Sequence, residues 1–349
     1  MLPENLGFAE GNNAGVRAAR HDVVILLNND MVVDSGFIRP LLEGFGSSTF
    51  AVSSQIHLQD PSARREETGR TTAVFRRGLI DYSHAGIEGP LSRRYYPVFW
   101  AGGGSSAFHR RRFLWLGGFS SIYSPAYVED ADLSYQAWKA GWEVLFAPES
   151  VVYHKHRATS ARVFSHQGLE CLTRRNQFFF IWKNIRSWRM LLSHCFFLPW
   201  NFYRNARDHG LGAWKCLVGA IVCFPTVQVA RFSSRLRAVR KDQEIFALCS
   251  NPGLFFARQH RAAEAAGGRG QGKTRVGPAE SKPRVLWLTA YLPHIGRHAG
   301  AGRMYHLLKR ISQHYNVRLI SFLEHDDERE FLPELQELCE GVQVMRRQP

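Results

Sequence analysis

Short apolar runs alternate with glycine-rich turns and helical periods up to about residue 165. Val23–Leu27 is continuously apolar and rich in β-branched residues, which is typical of a buried strand in a parallel sheet. Val144–Phe146 and Val151–Tyr153 are predicted as two further short strands separated by a turn. The spacing predicts a helix over Asp130–Ala140 and a short one over Asn12–Ala19. The pattern as a whole predicts a mixed α/β sheet protein.

The composition of the chain changes over residues 166–261, which are rich in aromatic and basic residues. This segment is predicted to be helical. Cys216–Ala230 is an apolar stretch, but it is shorter than the ~20 residues that a membrane-spanning helix needs. Five Lys or Arg residues follow between positions 231 and 241, without an acid. An apolar helix beside a cationic cluster is typical of a membrane-surface segment, because anionic headgroups attract it. A core helix with a solvated basic end is the alternative.

The last part of the chain restarts an α/β pattern after a predicted linker. Residues 262–283 are rich in Gly, Ala, Lys and Arg and lack large apolar side chains, which predicts a flexible linker. Residues 284–349 predict one βαβ unit, which cannot bury its own sheet faces. Its elements are a strand, a glycine-rich loop, a helix and a strand: Val285–Thr289, His294–Arg303, Met304–His314 and Val317–Phe322.

The net charge and the cysteine spacing indicate which kinds of partner and which redox compartment the chain suits. The formal net charge of +15 favours an anionic partner such as phosphate, nucleic acid or a lipid headgroup. The basic residues cluster beside apolar helices and not along an exposed aromatic sheet, so a nucleic-acid partner is not expected. The six cysteines lack CxxC spacing, which argues against a zinc module and a dense disulfide scaffold and suits a reducing compartment.

A polar triplet, Asn28-Asn29-Asp30, follows directly on the first predicted strand. Ligands of open α/β sheets bind outside the carboxyl ends of strands, and a carboxylate there can hold a hard divalent cation. A simple turn is the alternative reading of the same residues.

Three acids lie at the start of the helix predicted near residue 130: Glu129, Asp130 and Asp132. One of them can cap the helix, and three exceed what capping needs, which suits a general base or a cation site. A histidine, His154, follows the predicted strand Val151–Tyr153 with His156 close by, and it can serve as a metal ligand or be a surface residue.

Several motifs occur together in one order along residues 3–165. They are Asn5–Gly15, the strand with its Asn28-Asn29-Asp30 end, Gly102-Gly103-Gly104, Phe113–Phe119, Tyr127–Gly141, Ala147-Pro148 and Val151–His154. This series resembles the nucleotide-sugar half of a family 2 glycosyltransferase, and within that family it is most similar to the bacterial rhamnosyltransferase-like enzymes of surface polysaccharide synthesis.

The resemblance implies a GT-A-type mixed sheet and specific roles for the polar clusters. Asp30 would bind Mn²⁺ or Mg²⁺ bridging the donor diphosphate, with His154 completing the metal shell; Asn28 stands where the family has a first Asp, which removes one charge. Asp130, of the acidic pair with Glu129, would be the base that takes the proton from the acceptor hydroxyl. A single displacement of this kind inverts the anomeric centre.

The resemblance also implies the donor, the acceptor and the location. The donor would be a UDP- or dTDP-linked sugar and the acceptor a lipid-linked glycan. The basic helices would hold the enzyme at the inner, cytoplasmic face of the cytoplasmic membrane, against its anionic surface. The donor site would be lined by small and amide residues: Asn5, Gly7, Gly11, Asn12, Asn28, Asn29 and Gly103.

Two departures qualify this picture. The family's first strand should precede Asn5, where only four residues stand, so the resemblance implies an N-terminally truncated domain whose sheet lacks a strand. The segments 283–293, 300–303 and 317–322 resemble the opening βαβ of a family 4, GT-B-fold glycosyltransferase, with a generic Rossmann-like start as the alternative; no catalysis is assigned to this unit. The alternative function for the chain is a catalytically incompetent transferase that acts only as a membrane- or polyanion-binding scaffold.

Overall fold

The computed structural model describes most of the chain. The described residues are 5–58, 68–86, 94–125, 127–154, 166–209, 218–235, 238–267, 284–289, 291–295, 299–313, 315–323 and 325–346. The strands are β1 (Val23–Leu27), β2 (Met31–Val33), β3 (Thr49–Leu58), β4 (Thr71–Arg76), β5 (Leu79–His84), β6 (Tyr96–Pro97), β7 (Ser105–His109), β8 (Glu143–His154), β9 (Arg284–Thr289), β10 (Asn316–Leu323) and β11 (Gly341–Arg346).

Helices cover the sheet and fill the middle of the chain. They are α1 (Gly7–Ala18), α2 (Ile38–Glu43), α3 (Arg110–Trp115), α4 (Glu129–Lys139), α5 (His166–Asn184), α6 (Trp188–His209), α7 (Phe224–Arg235), α8 (Asp242–Ser250), α9 (Pro252–Gly267), α10 (Ala299–Ile311) and α11 (Leu332–Leu338), with 3₁₀ turns at Ser121–Tyr123 and Asp326–Phe331. In the described part of the chain, no helix combines the length and the apolar character needed to cross a bilayer.

One large mixed sheet organises the molecule. Its strand order is β11-β10-β9-β1-β7-β3-β8-β2, with β6 paired to β8, while β4 and β5 form a separate antiparallel pair. Strands β1, β3, β8, β9, β10 and β11 all run in one direction, and β7 runs against them. The carboxyl ends of these six strands therefore share one edge of the sheet, which we call the carboxyl edge.

Most of the predicted elements are present, with three differences at their ends. Helix α1 begins at Gly7, five residues before the prediction, and α10 begins at Ala299, inside the predicted glycine-rich loop. Helix α9 continues to Gly267, because the alanine-rich start of the predicted linker has high helix propensity. The rest of that linker, 268–283, lies outside the described residues.

The prediction of two short strands around Pro148 is wrong. The two segments form the single strand β8, and its register with β3 passes from Ala147 opposite Ser54 directly to Val151 opposite Gln55. The three intervening residues are accommodated as a bulge, so the strand bends and keeps its partner.

The helices of residues 166–261 pack against the sheet domain through buried polar contacts. Lys183 of α5 lies 2.6 Å from Asp132 of α4, and Lys139 of α4 lies 2.9 Å from Asp242 of α8, with all four side chains buried. Cys171 of α5 is disulfide-bonded, a bond that the cysteine spacing did not predict.

Residues 284–346 join the same sheet. Strand β9 runs parallel to β1, with Trp287 opposite Ile25, and β10 and β11 extend the sheet beyond it. The sequence predicted a sheet that lacks a strand and a βαβ unit with uncovered faces; in the structure β9 lies on the open edge of β1. The division of the chain into separate domains stays a prediction.

Candidate active site

The start of helix α4 places two acids in different environments. Val128, immediately before the helix, has a φ of 87°, which costs a β-branched residue about 1–3 kcal/mol. Glu129 is 6% exposed, and its Oε2 is buried without a hydrogen-bond partner among the described residues. Burial, followed by the negative charge of Asp130, raises the pKa of Glu129 to about 8. Glu129 is therefore mostly a neutral carboxylic acid at neutral pH, beside a half-buried Asp130.

A run of three glycines before β7 lets neighbouring groups approach closely. A Cβ on Gly102 would lie 3.9 Å from Oδ2 of Asp130, and one on Gly103 would lie 2.9 Å from the ring of Phe8 in α1. A Cβ on Gly104 would lie 2.6 Å from the side-chain nitrogen of Asn28, whose backbone N–H donates to the carbonyl of Gly104 over 2.8 Å. The glycine run therefore brings the starts of α1 and α4 to the end of β1.

Asp30 and His154 lie together at the carboxyl edge. The antiparallel pairing of β2 with β8 places Met31 opposite His154, and Nε2 of His154 lies 3.3 Å from Oδ2 of Asp30. The other oxygen of Asp30, Oδ1, is buried and accepts no hydrogen bond from the described residues. A carboxylate oxygen without a donor beside an imidazole nitrogen fits a divalent cation such as Mn²⁺. Within the described ranges no group of three or more His, Cys, Asp or Glu side chains is placed to hold a metal ion, and His156 lies outside those ranges.

The residues predicted to line the donor site lie at or near the amino end of α1 and the end of β1. Oδ1 of Asn5 accepts a hydrogen bond from the N–H of Gly7 over 3.0 Å, and the amide of Asn12 donates to the carbonyl of Phe8 over 2.8 Å. Gly11 has open space where a Cβ would lie, and Asn29 is exposed. Gly103 is buried under Phe8. Asn12 therefore bonds within its own helix, whereas Gly11 presents an open surface.

The sequence did not single out Asn13, which is buried in α1. Its Nδ2 donates to the carbonyl of Phe119 and its Oδ1 accepts from the N–H of the same residue, both over 2.8 Å. This amide pair fixes α1 to the segment after α3. Two asparagines side by side gave no sign of which one faces inward.

Asp132 and Tyr82 are further residues whose setting the sequence did not reveal. Asp132 is fully buried and accepts hydrogen bonds from Lys183, Asn184, Tyr123 and Gln136. It therefore anchors α4 and is not part of a general-base or cation site, which was one reading of the three acids in the sequence. The phenol oxygen of Tyr82 is buried without a hydrogen-bond partner among the described residues, and burial, then the charges of Asp132 and Asp130, raise its pKa well above the usual value.

Residues 1–170 match the family model described as "Glycosyltransferase like family 2". No curated protein matches the chain. The large mixed sheet confirms the predicted mixed α/β class.

Two solved structures show a low overall similarity. A structure of GalNAc-T7 with UDP, GalNAc and Mn²⁺ is 19% identical, with a TM-score of 0.38 over 50% of this chain and 34% of that one. The mannosyltransferase PcManGT from Pyrobaculum calidifontis, with GDP-Man and Mn²⁺, is 14% identical, with a TM-score of 0.36 over 67% of each chain. The chain thus spans about a third of the length of the first of these proteins.

Proposed function

We propose that this chain transfers a sugar with inversion and with the help of a divalent metal. Residues 1–170 form a glycosyltransferase family 2 domain, which takes its sugar from a nucleotide-sugar donor. The observation that carries the proposal is the arrangement at the carboxyl edge. Asp130 lies against the glycine run that also contacts Asn28. Asp30 and His154 lie on the same edge, where β2 begins and β8 ends.

Asp130 is the proposed base. Its Oδ2 takes the proton of an acceptor hydroxyl while that oxygen attacks the anomeric carbon of the donor sugar, from the face opposite the diphosphate. The bond between the anomeric carbon and the diphosphate oxygen breaks, and the nucleoside diphosphate leaves with the electron pair. A positioned base of this kind contributes about 10²–10⁴-fold to the rate. Burial holds Glu129 neutral, so Asp130 is the acid of the pair that we assign as the base.

Asp30 and His154 are the proposed metal ligands. A carboxylate oxygen and an imidazole nitrogen are both ligands that would hold a divalent cation such as Mn²⁺ at this place. When bound, the cation stabilises the negative charge that develops on the leaving diphosphate. The donor contacts proposed for Asn5, Gly7, Gly11, Asn12, Asn28, Asn29 and Gly103 complete the site.

A lipid-linked glycan is the proposed acceptor, and the exposed face of α6 supports it. Five large side chains recur every three or four residues along this helix and are each more than half exposed: Trp188, Leu192, Phe196, Trp200 and Tyr203. Residues 166–261 carry 15 Lys and Arg against 4 Asp and Glu, and the guanidinium of Arg189 lies 5.4 Å from the ring centre of Trp188. Such a face suits an anionic bilayer surface, where a cytoplasmic enzyme of bacterial surface-polysaccharide synthesis meets its acceptor.

Transfer by two single variants tests the assignment. Asp130→Asn should lower kcat at least 10²-fold while the Kd of the donor, measured by calorimetry with UDP- and dTDP-sugars and Mn²⁺, stays within about 3-fold. Asp30→Ala should remove the Mn²⁺ dependence of donor binding. Asp81→Asn is the matched control, because Asp81 is an exposed carboxylate paired with Arg76. Turnover by Asp130→Asn at the parental rate would rule out the base.

The second candidate is a scaffold that binds membranes or polyanions without catalysis, and the exposed apolar face of α6 is the observation that favours it. The same calorimetry separates the two. A scaffold gives no saturable heat with any nucleotide sugar, and it still binds vesicles of anionic lipid.

A further inference from the structure

Strand β1 would be an apolar sheet edge without β9. Val24, Ile25 and Leu26 are all buried, so both faces of the strand are covered. An uncovered edge next to such a strand exposes unpaired backbone groups and invites aggregation. In the structure β9 pairs with β1 in parallel and closes this edge. The contact between residues 284–289 and β1 is therefore part of the sheet that carries Asn28.

Helix α1 rests on β9 as well as on its own domain. A Cβ on Gly15 would lie 3.2 Å from the Cδ1 of Leu288, so the absence of a side chain at position 15 lets the helix approach the strand. The same helix is fixed at its other contacts by the amide pair of Asn13 and by the packing of Phe8 over Gly103. Leu288 thus supports the helix whose amino end borders the carboxyl edge.

The junction of β9 and β1 is also a topological switch point. After β9 the chain passes through α10 to β10 on one side, whereas after β1 it crosses to β2 at the opposite end of the sheet. Both strands run in the same direction, so their carboxyl ends lie side by side at the carboxyl edge. Open α/β sheets bind nucleotides in the crevice that such a switch point forms outside the carboxyl ends of the strands.

We propose that residues 284–346 are a working part of the nucleotide-sugar site, with Leu288 as a positioning residue for α1 and with the crevice between β1 and β9 receiving the nucleoside diphosphate of the donor. This inference rests on the proposed function for its ligand. It assigns to the C-terminal unit a role in donor binding, where the sequence assigned none.

A steric test addresses the contact directly in the full chain. Gly15→Leu places a branched side chain against Leu288, and the double variant Gly15→Leu/Leu288→Ala makes room for it. Leu has a higher helix propensity than Gly, so any loss comes from the collision with Leu288. Gly219→Leu is the matched control, because Gly219 is also helical and has nothing within 4 Å of its Cβ position.

Binding of UDP with Mn²⁺ and amide hydrogen exchange are the two readouts. We expect Gly15→Leu to raise the Kd of UDP at least 10-fold and to speed amide exchange in residues 7–18. The double variant should return both quantities to within about 3-fold of the parent, and Gly219→Leu should change neither. UDP should slow exchange in residues 284–295 of the parent protein. A parental Kd in Gly15→Leu, or UDP protection that spares residues 284–295, overturns the inference.

The exchange data separate this inference from the proposed function. If the parent protein binds neither UDP nor dTDP, the proposed function fails, and with it the assignment of the crevice. The supporting role of Leu288 is then still decided: it stands if exchange in α1 rises in Gly15→Leu and recovers in the double variant, and it falls if the three proteins exchange alike.

Discussion

Replacing Lys183 by Met should destabilise the fold strongly, because it leaves a buried charge without its counter-ion. Nζ of Lys183 lies 2.6 Å from Oδ2 of Asp132, and the two side chains are 5% and 0% exposed. Met keeps most of the length and the apolar stem of Lys and removes the ammonium. The carboxylate of Asp132 then remains fully buried in α4, three positions from the start of the helix.

The expected loss follows from what remains around Asp132. Removing one partner of a buried ion pair costs about 3–5 kcal/mol. Asn184 at 2.6 Å and Tyr123 and Gln136 at 2.8 Å still donate to the carboxylate, so we expect the lower end, about 3 kcal/mol. With a urea m-value of about 3 kcal/mol/M, the unfolding midpoint falls by about 1 M.

Urea unfolding followed by tryptophan fluorescence measures this shift. Arg76→Gln is the control, because its pair with Asp81 is solvent-exposed and worth less than about 1 kcal/mol. The double variant Asp132→Asn/Lys183→Met should lose less stability than the two single variants lose together, since it also removes the buried carboxylate that is left without a counter-ion. An unfolding midpoint for Lys183→Met within about 0.2 M of the parent, or strict additivity in the double variant, would show that Lys183 does not stabilise the buried Asp132.

Three further predictions concern other parts of the molecule. Glu129→Gln should gain stability relative to the parent as pH rises from about 5 to 8, by roughly 1.4 kcal/mol per pH unit at most. The reason is that the carboxyl of Glu129 keeps its proton up to a pKa of about 8 in the native protein, whereas in the unfolded chain it loses the proton near 4.5. Urea unfolding midpoints of both proteins at about pH 5 and about pH 8 test this, and a difference that does not change with pH contradicts it. Asn13→Asp removes the amide N–H that donates to the backbone carbonyl of Phe119. It should lower the free energy of unfolding by about 1–3 kcal/mol in the same assay, and an unchanged midpoint would contradict this. The double variant Phe196→Ser/Trp200→Ser should weaken co-sedimentation with anionic lipid vesicles at least 10-fold, whereas Val74→Ser, at an exposed apolar position on β4, should not. Equal loss in both variants would reject α6 as the docking face.

The sequence determined the elements whose signals are local. The apolar run Val23–Leu27 has the bounds of β1, and the acids and helical spacing near residue 130 gave α4 to within one residue at each end. The hydrophobic period, the capping acids and the glycine at position 141, which has a positive φ, act within a few residues. Signals of this kind can therefore be recognised in the sequence alone. The polar triplet after β1 was legible for the same reason, and the site roles drawn from it remain predictions.

The packing of the chain, and not a local sequence signal, brings distant segments together. Backbone hydrogen bonds between strands carry little sequence information, so nothing in Arg284–Thr289 indicated that this strand lies against β1. The buried contact of Asp132 with Lys183 joins residues 51 positions apart, and burial, not residue type, is what raises the pKa of Glu129 to about 8 while Asp130 next to it stays half-buried. These properties depend on solvent exclusion and on distance, and both arise when the chain packs.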